Sequence, residues 1–170
     1  MSRATKKAEQ ALIKEQNRQL KIINITSFVA LHEMGWDADQ IIDTFNLATD
    51  AWNECREQKL SIFQLLEKET GIEIALDGEK SYHEFDQLNN RYREVTEAEY
   101  IYGMHRRKRW IPPMLLACAV LGLSRRGISD AELNEFISRT DEIRKQYGDR
   151  VDDYEKMMEE RTGFTPRVWE

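Results

Sequence analysis

The 170-residue chain has 31 Asp and Glu against 25 Lys and Arg, a formal net charge of −6, which argues against nucleic-acid binding by net charge alone. Eight Gly and three Pro, amid many Glu, Gln, Lys, Leu, Ile and Ala, favour helix, and the length is enough to bury a core unaided. Two cysteines outside any metal spacing, Cys55 and Cys118, exclude a disulfide framework. The absence of a signal-peptide pattern and a longest apolar run of only Ile111 to Leu123, short of a bilayer span, predict a soluble, cytoplasmic protein.

Residues 2 to 33 read as a long first helix with Ser2 as cap. Its first twenty residues are mostly polar and net basic, and its apolar pattern begins at Leu20, so the early part reads as a solvated arm, free or bound to something. Gly35 ends the helix as a C-cap glycine. Asp37 and Gln40 form a capping box for the next helix, on which Ile41, Phe45, Ala48, Trp52 and Cys55 recur at helical spacing to about Gln58. Ser61 and Gln64 form a second box, opening a short helix that stops at Gly71. A connection with an Asp77-Gly78 turn follows.

Ser81 and Glu84 form a third box, from which the spacing predicts a long helix to Arg107 with a seam of Phe85, Leu88, Tyr92, Val95, Glu99 and Tyr102. That 85–102 seam would pack within the chain or across a homodimer. Arg106-Arg107-Lys108-Arg109-Trp110 leads into Ile111-Pro112-Pro113, and the prolines suit the first turn of a new helix. Gly127 turns the chain, Ser129 and Glu132 form the fourth box, and Leu133, Phe136, Ile137 and Ile143 face inward. A last short helix with Val151, Tyr154, Met157 and Met158 closes at Gly163, and a tail carries Pro166 and Trp169.

Shifted by 92 positions without a gap, Ala30–Ile72 falls on residues 122–164 with both turn glycines, both capped starts and the apolar positions in register. The expected fold is therefore all-α: two similar helical units (long helix, Gly turn, capped helix, short helix) joined by a long central helix. Residues 1–80 hold the first unit with its basic arm, 81–110 the central helix and basic block, and 111–170 the second unit.

Little here reads as chemistry. His32-Glu33 lacks the second histidine a zinc-protease motif requires, since position 36 is Trp. His83 and His105 have no ligand-spaced partners. Asp37, Asp39 and Asp43 offer a carboxylate cluster of the kind a metal nuclease uses, but acids at a helix start are favoured by its dipole alone. The second helices of the two units begin Asp-Ala-Asp-Gln and Ser-Asp-Ala-Glu; such starts repel phosphates and oppose a major-groove reading. No catalytic residue, metal ligand or cofactor is expected.

The strongest surface signal is the stretch Tyr100 to Ser129, which has six Arg or Lys and no acid. Arg106, Arg107, Lys108 and Arg109 with Trp110 can contact phosphates and stack on a base, and Arg125 and Arg126 could join them in space. Tyr102, Trp110 and Trp169 are candidate anchors for a protein interface.

The run Ala30-Leu31-His32, then Gly35-Trp36, then Glu69-Thr70-Gly71-Ile72 resembles a group of small all-helical phage and prophage proteins, over about a quarter of the chain. The group's usual turn carries more Gly and basic residues than Gly35-Trp36-Asp37-Ala38. Some members of this sort resemble anti-CRISPR proteins. The resemblance implies a phage-encoded, non-enzymatic inhibitor in an infected bacterial host. Its implied partner is a host defence protein, the type II CRISPR nuclease with its guide RNA. The acidic helices from Asp141 to Glu160 would then meet that protein's basic channel. The alternative is a phage nucleic-acid-binding regulator that uses Arg106–Arg109.

Overall fold

The computed structural model describes residues 2–74 and 96–170, and among them every regular element is helical. In chain order these are α1 (Arg3–Glu33), α2 (Ala38–Gln58), α3 (Ile62–Thr70), α4 (Glu97–Arg107), a 3-10 turn (Lys108–Trp110), α5 (Ile111–Arg125), α6 (Asp130–Gln146), α7 (Val151–Thr162) and a second 3-10 turn (Pro166–Trp169). The fold is all-α, as expected.

The predicted caps form these helices. The Ser2 hydroxyl accepts the Thr5 amide at 3.1 Å. Asp37–Gln40, Ser61–Gln64 and Ser129–Glu132 each close a reciprocal box at the head of α2, α3 and α6, satisfying amides that a helix start leaves unpaired. At the C-termini Gly71 and Gly163 take the left-handed conformation, which a Cβ would oppose. The third box, Ser81–Glu84, lies outside the described residues. A box missed in the sequence does form there: Thr96 is extended and caps α4 reciprocally with Glu99. The helix ending at Arg107 therefore starts at Glu97 and does not run unbroken from Ser81. The Thr-x-x-Glu spacing was present, but the period of the predicted seam ran across it.

The 92-residue register extends to geometry. α1 ends at Glu33 and α5 at Arg125; α2 begins at Ala38 and α6 at Asp130. Gly35 and Gly127 both have positive φ and bond back to the His32 and Ser124 carbonyls. Thr70 and Thr162 each donate to the carbonyl four residues earlier and accept the amide two residues later.

The two units are interleaved. α1 packs on α6 and α7, while α5 packs on α2 and α3, and α1 and α5 also touch each other. Each unit's first helix thus lies on the other unit's second and third helices, as a twofold would place them. One ion pair repeats with its signs reversed. Arg161 binds Glu33 through two bonds of 2.6 and 2.8 Å, and Arg125 binds Glu69 through two of 2.8 and 3.2 Å. Residues 33 and 125, and residues 69 and 161, are 92 apart.

One core results. Ile25, Phe28, Ile41 and Leu66 from the first unit meet Leu121, Phe136, Tyr154 and Met158 from the second, all nearly inaccessible. At the Gly122 position α5 comes so close to α2 that a Cβ there would lie 2.8 Å from the Thr44 carbonyl oxygen. A smaller second cluster, Ala8, Leu12, Met104 and Ile111, joins the first half of α1 to α4 and the start of α5. Tyr100 adds a hydrogen bond to Glu9 at 3.1 Å, and the Ser2 and Thr5 hydroxyls both reach Glu97. The basic arm is therefore bound along α4.

Candidate functional site

The expected site residues separate into three places. Arg106 to Arg109 end α4 and form the following 3-10 turn, and α5 then runs 15 residues before Arg125, about 22 Å further along its axis. Arg125 and Arg126 therefore do not join the basic block. Arg125 reaches the first unit, bonding Glu54 at 2.6 Å and Glu69 at 2.8 Å. Arg126 lies 5.2 Å over the Trp36 ring and donates to the Gln40 carbonyl at 3.2 Å. Both hold the interleaved units together, a role that required knowing which helix lies opposite α5.

Trp110 is also not a surface anchor. It is 1 % exposed and belongs to the main core. The chain turns through Lys108–Trp110 into α5, which carries the indole inward; of the cations before it Arg109 is exposed and Arg106, Arg107 and Lys108 are half-buried. Trp169 is half-buried at the core edge, its ring 5.6 Å from Phe28 and 5.5 Å from Phe45. His32 stacks on Phe28, 6.2 Å between centroids, which accounts for it as an aromatic of the core rim.

What remains is a ridge on α4. Tyr102 is 64 % exposed, the most exposed large apolar side chain described. The Arg106 guanidinium lies 5.9 Å from the Tyr102 ring and 5.9 Å from the Trp110 ring, so it bridges the core indole and the surface phenol. Such cation–π contacts help hold a guanidinium in place. His105 and Arg109 are exposed beside it. Lys108 lies near enough to Glu15 to help lower that carboxyl below its ordinary value, although the Arg18 hydrogen bond is the larger cause. The rest of the predicted seam, Phe85 to Val95, lies outside the described residues.

Compared with known proteins, the chain matches no family model, no curated sequence and no solved structure. The phage resemblance thus rests on its own residues, and these are turn, cap and core positions: Ala30 and Leu31 are buried, while Gly35 and Gly71 are turn glycines.

Among the described residues, no group of three or more His, Cys, Asp or Glu is placed to hold a metal ion. Asp37 caps α2, and Asp43 approaches Arg126 at 3.9 Å. Burial pushes the Cys55 thiol up to about 11 and the Cys118 thiol up to about 12, far from the thiolate form a nucleophile needs.

Proposed function

We propose that the protein is a phage-encoded, non-enzymatic inhibitor that binds a host defence protein, and that the α4 ridge is its contact surface. The observation that carries the binding surface is Tyr102 with Arg106. Tyr and Arg are among the residue types enriched at interface hot spots, and Tyr102 is the most exposed large apolar side chain among the described residues. The phage resemblance carries the target, the RNA-guided nuclease of type II CRISPR systems, with the acidic helices α6 and α7 meeting its basic channel. A cytoplasmic location in the infected host follows from that reading, and the lack of any described helix long and apolar enough to cross a membrane is compatible with it.

The test is a pull-down from lysate with and without RNase and DNase, paired with plasmid interference in cells that carry the nuclease. Tyr102→Ala and Arg106→Ala should each weaken capture by about tenfold, as interface anchors do, and leave the melting temperature nearly unchanged. Trp110→Ala should lower stability by about 3–5 kcal/mol and so lose everything. Full interference in the presence of the protein sinks the nuclease as target. Recovery of nucleic acid alone, lost when Arg106, Arg107, Lys108 and Arg109 become Ala, establishes the regulator reading instead.

We also read the two units as copies of one ancestral unit. The shared caps, turns and threonine bonds support this, as does the sign-reversed ion pair. A single-unit relative that forms a twofold dimer is the expected finding. Relatives whose halves lose the 92-residue register together with those bonds would refute common origin.

A further inference from the structure

The face of α2 read as a core stripe is only partly covered. Ile41, Ala51 and Cys55 are buried, but Phe45, Ala48 and Trp52 are half-open. They form one wall of a cleft of about 420 Å³ between α1, α2 and α5. Both members of three pairs related by the 92-residue register line it: Ile23 and Leu115, Ser27 and Ala119, Leu31 and Leu123. The cleft therefore lies where the first helices of the two units cross.

Three features define an occupant. Among the described residues none that lines the cleft is charged, although a third of the chain is (33 %), so an ion would enter without a counter-charge from them and leave its water behind. The volume lies within the range of small-ligand sites. The floor also holds a buried polar atom. The Ser27 hydroxyl, on a residue 2 % exposed, has no hydrogen-bond partner among the described residues. Thr26, Thr44, Thr49, Thr70 and Thr162 all satisfy their hydroxyls on the carbonyl four residues back; Ser27 does not. Buried hydroxyls are nearly always paired, and the register-mate in the cleft lining, Ala119, offers no partner.

We propose that this cleft is a binding site for a neutral, largely apolar small molecule, one polar atom of which bonds the Ser27 hydroxyl. The apolar body would lie against Trp52, Phe45 and Met114, and the half-open mouth, with Gln16, Asn17 and Thr49 at its edge, would leave a second polar end in water. This site is separate from the α4 ridge and stands whether or not that ridge binds a nuclease.

Two dyes test it on the full chain. Nile red is neutral, apolar and has a carbonyl acceptor; pyrene has no hydrogen-bonding atom. Both should bind saturably at one per chain, read by their emission. Ser27→Ala should weaken Nile red about five- to tenfold, the loss expected for one neutral hydrogen bond, and leave pyrene unchanged. Ala119→Phe should abolish both by filling the cleft. If that variant melts early, Thr49→Trp at the exposed mouth takes its place, since it burdens no packed position. No saturable binding of either dye, binding indifferent to the filling variant, or equal losses of both dyes in Ser27→Ala each overturn the proposal.

Discussion

Gly122→Ala tests the interleaving at its tightest point. In a free helix the change is favourable, because Ala exceeds Gly by about 1 kcal/mol in helix propensity. Here the new Cβ would sit 2.8 Å from the Thr44 carbonyl oxygen and 3.1 Å from both the nitrogen and the Cβ of Ala48. All three are backbone or stem atoms of α2, with no rotamer to yield. The helices must part by a few tenths of an ångström, and overpacking of this sort costs about 1–3 kcal/mol, more where backbone is what must move. We expect a net loss of about 1–2 kcal/mol, which for a chain of this length lowers the melting temperature by about 3–6 °C. Urea denaturation followed by circular dichroism measures it. Gly148→Ala is the control, since a Cβ there meets nothing within 4 Å and the residue lacks positive φ; it should leave stability unchanged or raise it by about 0.4–1 kcal/mol. A Gly122→Ala protein as stable as the parent would refute the close crossing of α2 and α5, and with it the interleaved packing.

Two further predictions concern charge. Four carboxyls lie below their ordinary 4.5: Glu15 through Arg18, Glu54 through Arg125, Glu99 through Thr96 and Glu132 through Ser129. A carboxyl lowered on folding binds fewer protons folded than unfolded, so its contribution is complete above the unfolded value and is lost as pH falls through the folded one. Melting temperature should drop as pH falls below about 4.5, and Arg125→Met should flatten the part due to Glu54; parallel profiles would exclude that pairing. Glu33→Arg should destabilise by about 1 kcal/mol, since it sets like charges beside Arg161 and Arg139. Adding Arg161→Glu should recover most of that, because the register-related pair Arg125–Glu69 already works with those signs; no recovery in the double variant would mean that the two ion pairs are not geometrically equivalent.

The features legible in the sequence are those that depend on near neighbours. A capping box closes over three residues and a glycine turn over two or three, so Asp37, Ser61, Ser129, Gly35, Gly71, Gly127 and Gly163 announced themselves without knowledge of the fold. The register survived for the same reason. Its sign-reversed ion pair did not, because it joins residues 33 to 161 and 69 to 125, and a swap of Glu for Arg looks like divergence until the partners are seen to have swapped as well. Trp110 defies the surface reading because adjacency in sequence is not adjacency on a surface: the 3-10 turn carries its indole into the core, where Arg106 reaches only its ring. The α2 stripe shows a different limit. Periodicity tells which side of a helix avoids water, not whether the fold has anything to lay against it. Ile41 and Cys55 are fully covered, whereas Phe45, Ala48 and Trp52 are covered on one side only and also line a cleft whose floor holds a hydroxyl unpaired among the described residues. Places where local pattern and tertiary packing part are where function is to be sought, and this one lies at the junction of the two units, where a ligand would touch both.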